Sequence, residues 1–155
     1  MKTLLMISLS CLFLVSCAEK GDDNTNNPGS TSTEESLTGT LHDTTFKADY
    51  FSGSYPQPLL SLYAYETTTN RSISLTLDNK DVGTHTMTLD LNGTSASCQG
   101  GGSAGYYSIH GAGHGSIIIS ASSSTKVSGT FSFTGYTLDG SDSAVVSGQF
   151  SNFSF

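Results

Sequence analysis

The stretch that decides the fold is V-S-G-T-F-S-F at Val127–Phe133, answered by V-S-G-Q-F-S-N-F at Val146–Phe153. Both runs alternate apolar with small polar residues, the period of two that a half-buried strand requires. Between them stands Asp139-Gly140-Ser141-Asp142, a turn signal built on a D-G pair. Two like strands around such a turn predict one antiparallel hairpin. Five of the chain's eight phenylalanines lie here, Phe131, Phe133, Phe150, Phe153 and Phe155. The hairpin is therefore expected to be the hydrophobic centre. Phe150 and Phe153 differ in parity, which demands a bulge at Ser151-Asn152 or burial on both faces.

Upstream the same period recurs, and no window sustains helical periodicity. Leu37–His42 and Thr44–Tyr50 read as strands around a tight turn at Asp43, and Phe51–Pro58 as a loop. Leu60, Leu62 and Ala64 share one strand face, with Ser61, Tyr63 and Tyr65 on the other. Ile73, Leu75 and Leu77 alternate with Ser72, Ser74 and Thr76. Met87, Leu89 and Leu91 form a further alternating run before the turn signal Asn92-Gly93. Ser95–Cys98, Tyr106–His110 and Ser116–Ala121 are shorter strand candidates. The expected fold is all-β, an antiparallel β-sandwich or flattened β-barrel of about nine to ten strands, in a single domain over 37–155.

The N-terminal segment carries an address. Met1-Lys2 precedes an apolar run, Leu4–Val15, short of the roughly 20 residues needed to span a bilayer and suited to a secretory signal. It ends in Leu14-Val15-Ser16-Cys17, which resembles the bacterial lipobox. That resemblance implies a leader over 1–16 and lipidation of Cys17, with more than one acyl chain for stable anchoring. Residues 17–36 hold five acids, one lysine and no apolar residue beyond Ala18 after the cysteine, the composition of a disordered tether. The acidic run Glu19-Lys20-Gly21-Asp22-Asp23 resembles the surface-export signal of Bacteroidota lipoproteins. It implies display at the outer-membrane surface, with the periplasmic face as the alternative. The formal net charge of −7 argues against nucleic acid and against direct adhesion to anionic lipid. The lipid anchor is then the membrane contact, and the partner a protein or a glycan.

Lipobox, acidic tether and a β-domain with D-V-G-T-H-T-M at Asp81–Met87 and V-S-G-T-F-S-F together resemble a family of small, uncharacterised Bacteroidota outer-membrane lipoproteins. The resemblance implies a fold and an envelope location. It transfers no catalytic residue.

Chemistry-bearing residues are sparse. Cys98 is the one cysteine of the 37–155 domain, so no disulfide forms within it, and an inert, buried thiol is expected. His110 and His114 stand at H-x3-H spacing in a glycine-rich turn, with His42 and His85 elsewhere; this falls short of the three or four ligands of a zinc site. Asp78-Asn79-Lys80-Asp81 and Asp139–Asp142 are oxygen-rich but lack EF-hand spacing. No nucleophile elbow, phosphate loop or paired carboxylate appears, and no catalytic residue, metal or cofactor is expected. Tyr63, Tyr65, Tyr106 and Tyr107, with Tyr136, are candidates for an aromatic platform facing sugar rings or an apolar ligand. Asp43-Thr44-Thr45 and Asp142-Ser143-Ala144 resemble a Bacteroidota O-glycosylation motif, which implies modification at Thr44 or Ser143. The reading is a non-catalytic binding or interaction module. The alternatives are a lipocalin-like carrier of a small apolar ligand and, less favoured, a hydrolase.

Overall fold

The computed structural model describes residues 34–41, 43–90, 93–100, 105–109 and 114–155. The leader, Cys17, the tether up to residue 33, His42, the Leu91-Asn92 pair and His110 lie outside the described residues. The described residues hold eleven strands and no helix. In chain order they are β1 (Ser36–Leu41), β2 (Thr44–Lys47), β3 (Tyr50–Ser54), β4 (Leu60–Glu66), β5 (Arg71–Leu77), β6 (Gly83–Thr86), β7 (Ser95–Gln99), β8 (Gly105–Tyr107), β9 (Gly115–Ser122), β10 (Lys126–Tyr136) and β11 (Ser143–Ser154). Nine of them run in the order β2-β1-β11-β10-β8-β7-β5-β4-β3, one curled antiparallel sheet forming a half-barrel. β9 and β6 form a side branch from β10.

The repeated V-S-G-x-F motif explains the centre. In the β10–β11 hairpin Gly129 faces Phe150, and Phe131 faces Gly148. A Cβ on Gly148 would lie 2.7 Å from the Phe131 ring, and one on Gly129 would lie 2.8 Å from the Phe150 ring. Each ring therefore rests over the bare backbone of the opposite strand, and the motif is complementary to itself in antiparallel register. The parity break of Phe150 and Phe153 is resolved by the expected bulge. Val127 faces Phe153 and Gly129 faces Phe150, so Ser128 alone opposes Ser151 and Asn152. Asn152 takes φ 50°, a left-handed conformation that asparagine tolerates, and donates its N–H to Ser128 Oγ at 2.9 Å. Both rings then point inward, edge to face at 6.5 Å.

One continuous cluster fills the concave side. Its largest fully buried members are Phe46, Phe133, Phe150, Phe153, Leu37, Leu60, Leu62, Ile73, Leu75, Leu77, Ile117 and Ile119. Phe51 of β3 meets Phe153 edge to face at 5.6 Å, which brings one end of the curled sheet onto the β11 terminus. At the other end, the outward edge of β2 is closed by side chains. Arg71 donates to the Thr45 carbonyl at 2.6 Å, and the Lys47 N–H donates to Glu66 at 3.2 Å. Arg71 and Glu66 are themselves paired and nearly buried. A buried ion pair thus takes the place of the next strand and blunts an edge that would otherwise template pairing with another chain.

Four expectations need correction. Thr44–Tyr50 is not one strand, because β2 ends at Lys47 and Tyr50 opens β3. Phe51–Pro58 is not wholly loop, because Tyr50–Ser54 forms β3 on β4. No strand spans Met87–Leu89: β6 ends at Thr86, and Leu89 is 65% exposed. The reason is a crossover. The chain leaves β5, pairs β6 with β9, then returns so that β7 pairs directly with β5. Of the described residues of that run, Met87 alone stays inside. The strand expected over Tyr106–His110 is β8, which ends at Tyr107.

Candidate functional site: an outer-face trough

β4, β5 and β7 are interior strands of the half-barrel, and alternation decides what they show to solvent. Their inward residues are Leu60, Leu62, Ala64, Ile73, Leu75, Leu77, Ala96 and Cys98, all buried. Their outward residues are hydroxyls, one glutamine and two tyrosines. The register sets one row straight across the sheet. Tyr63 faces Ser74, Ser74 faces Ser97, and Ser97 faces Tyr107. Tyr107 in turn faces Tyr136. Three strand spacings separate Tyr63 from Tyr107, about 14 Å at the backbone.

Two adjoining depressions lie along this row and share Ser74, Ser97 and Tyr107. The larger, about 270 Å³, runs between Tyr63 and Tyr107 and includes Ser72 and Gln99. The smaller, about 110 Å³, continues over Thr76, Ser95 and Ile109. Gly105 sets the wall: a Cβ there would lie 2.7 Å from the Tyr107 hydroxyl, so the bare residue lets the ring lie along the sheet. Serine and threonine hydroxyls donate and accept, and glutamine does both. The trough can therefore form hydrogen bonds in either sense. Among the described residues its outward side chains carry no formal charge.

Of the five expected aromatics, two meet here, and Tyr136 lies one strand beyond Tyr107. Tyr63 and Tyr107 form the walls. Tyr65 shares the outward face of β4 but is tied to Asn70 in the β4–β5 turn. Tyr106 points the other way, packs against the core and donates to Asp142 at 2.9 Å. The pairing of β5 with β7 is what sequence reasoning missed, since β6 intervenes in the chain. The available signal was parity: Tyr63, Ser74 and Ser97 each occupy the outward position of an alternating run.

The remaining candidates resolve into structural roles. Cys98 is buried, and burial pushes its thiol up to about 12, so it stays protonated and unreactive. His85 is buried in β6, with Nδ1 2.9 Å from Asp78 and Nε2 donating to the Asp81 carbonyl at 2.9 Å. Asp78 also accepts from Thr94 at 3.2 Å, so this cluster ties together both ends of the β5–β7 crossover. The hydrogen bond with His85 holds the Asp78 carboxyl below its ordinary range. Asn79 accepts from the Asp81 N–H, and Lys80 reaches the Ser123 carbonyl at 2.9 Å, lying over the Tyr55 and Phe155 rings. In the hairpin loop Asp139 accepts from the Thr137 hydroxyl and then from Ser141, which hold it down to about 2. Asn79 and Asp139 thus close turns, while the Asp78 and Asp142 carboxylates tie their loops to His85, Thr94 and Tyr106. Thr44 and Ser143 are exposed, each opening a strand directly after a turn.

No curated protein and no solved structure matches the chain at a significant level. Residues 33–154 match the family described as a domain of unknown function, DUF6252, a span that covers every strand of the half-barrel. The chain belongs to the DUF6252 family.

Proposed function

We propose that this chain is a lipid-anchored cell-envelope module that binds its partner non-catalytically, through the outer face of β4, β5, β7 and β8. The observation that carries the reading is the cross-strand row Tyr63–Ser74–Ser97–Tyr107. It sets two aromatic walls on a hydroxyl floor, held by interior strands of the sheet. Rigid strands position such groups better than loops do. The lining offers phenols, hydroxyls and an amide, which recognise and orient. Acid–base chemistry on a substrate would ask for carboxylates or imidazoles converging there. A lipocalin-like carrier would need an apolar cavity of about 300–1,000 Å³ behind the sheet. The inward side chains instead form one packed cluster, which favours recognition from outside.

The anchor half of the proposal rests on the sequence, Leu14-Val15-Ser16-Cys17 followed by the acidic tether. Replacing Cys17 by Ser should move the protein from the membrane to the soluble fraction; retention on membranes would refute it. The binding half is tested with envelope preparations from the native host. Saturable binding should be lost in Tyr63→Ala/Tyr107→Ala and kept in Ile118→Ala, whose side chain is 44% exposed on β9, a strand that lines neither depression. Equal binding by all three proteins would reject this face.

A further inference from the structure

We propose that the trough takes a neutral glycan chain lying across the strands from Tyr63 to Tyr107. This rests on the outer-face binding reading above and adds the class of ligand. Four observations support it. Among the described residues the lining is uncharged, on a chain of formal net charge −7. An anionic ligand would find no cation in the trough and a repulsive field around it, while a cationic one would find no carboxylate there. The strands beneath are paired on both edges, β5 with β4 and β7, and β7 with β5 and β8. A peptide therefore cannot add a strand here, and recognition falls to side chains alone. The depressions are small, about 270 and 110 Å³, and the row extends about 14 Å. That shape suits an extended ligand better than one enclosed small molecule. Finally, the aromatic walls and the floor match the two surfaces of a sugar. The apolar C–H faces of pyranose rings pack against tyrosine, which offers a flat apolar body with a polar tip. Their hydroxyls need partners that both donate and accept, and Ser72, Ser74, Thr76, Ser95, Ser97 and Gln99 supply them.

The experiment is native affinity electrophoresis of the full chain carrying Cys17→Ser. Gels contain mannan, a β-glucan or a galactan as neutral probes, with heparin and chitosan as charged ones. Retardation by at least one neutral polysaccharide is expected. Tyr63→Ala or Tyr107→Ala should weaken it about tenfold, as the loss of one aromatic contact would. Tyr63→Phe, which keeps the ring, should bind within about threefold of wild type on the same scale. An unchanged far-UV spectrum keeps a folding defect from counting as lost binding. Retardation by heparin or chitosan alone overturns the neutral-glycan proposal. So does an absence of retardation by every neutral probe. If envelope binding still depends on Tyr63 and Tyr107 in either case, the face is right and the ligand class wrong. If neither readout depends on the tyrosines, both readings fall.

Discussion

Replacing Gly148 by alanine should cost this domain far more than one methyl group ordinarily would. A Cβ at that position would stand 2.3 Å from the Thr38 carbonyl oxygen and 2.7 Å from the Phe131 ring. Comfortable carbon–oxygen and carbon–carbon contacts lie near 3.3 Å and 3.5–4.0 Å, on the order of 1 Å further out. Phe131 cannot yield freely, because it is 3% exposed within the packed core. The Thr38 oxygen belongs to β1, so relief on that side means moving a strand and weakening its ladder to β11. Overpacking costs about 1–3 kcal/mol, and a contact with backbone puts Gly148→Ala near the top, at about 3 kcal/mol. For a domain of this size that lowers the melting temperature by roughly 10 °C. Gly129→Ala should behave alike, since its Cβ would meet the Ile118 carbonyl at 2.1 Å and the Phe150 ring at 2.8 Å. Gly100→Ala is the control: a Cβ there meets nothing within 4 Å, so it should shift stability by less than about 1 kcal/mol. Thermal unfolding followed by circular dichroism measures all three. A Gly148→Ala melt within about 2 °C of wild type would refute the reasoning that the glycine–phenylalanine pairs set the hairpin packing. Phe131→Leu added to Gly148→Ala should restore little, since it leaves the Thr38 contact in place.

Other consequences follow from the buried polar groups. Arg71→Leu strands Glu66 without its cation and uncaps the β2 edge; a loss of about 3–5 kcal/mol is expected, with concentration-dependent association visible by light scattering. Stability equal to wild type would mean the pair is dispensable. Asp78 is held below its ordinary pKa by the His85 hydrogen bond, so its contribution is present above the unfolded value and is lost as pH falls through the folded one. Asp78→Asn should therefore flatten the acid limb of a stability-against-pH curve. The effect stays under about 1 kcal/mol, because the carboxylate side chain is 55% exposed and screened by solvent. Identical acid limbs would contradict it. Cys98 should resist a disulfide reagent at pH 8 while the protein is folded and react promptly in denaturant, a contrast that absorbance reads directly. Fast labelling of the native protein would show that the thiol is not shielded.

Much of the fold was legible because alternation is a local property. Leu60, Leu62 and Ala64, and likewise Ile73, Leu75 and Leu77, announce their inward face without knowledge of any partner strand. The parity break between Phe150 and Phe153 was legible for the same reason, but it left a bulge at Ser151-Asn152 and burial on both faces open until the β10–β11 register decided for the bulge. What could not be read was pairing at a distance. β5 skips β6 to join β7, and nothing local in Ile73–Leu77 or Ala96–Cys98 specifies that neighbour. Hence the run Met87–Leu91 has the pattern of a strand, while Leu89 sits at the surface within the crossover between β6 and β7. The candidate site fell on the same boundary. The tyrosines were visible as a set, but only the β5–β7 and β7–β8 registers bring Tyr63 and Tyr107 to the ends of one row. Those registers also turn Tyr106 away toward Asp142.

The measurement that bears most directly on the outer-face reading is a two-dimensional amide NMR titration of the ¹⁵N-labelled protein with soluble envelope glycan from the native host. Shift changes should concentrate at residues 63, 74, 97 and 107 and their outward neighbours, and disappear in Tyr63→Ala/Tyr107→Ala. Changes centred instead on the inward positions Leu62, Ile73 and Leu75, or on the opposite outer face at Thr40, Ser132 and Ser147, would contradict a binding face built on the trough.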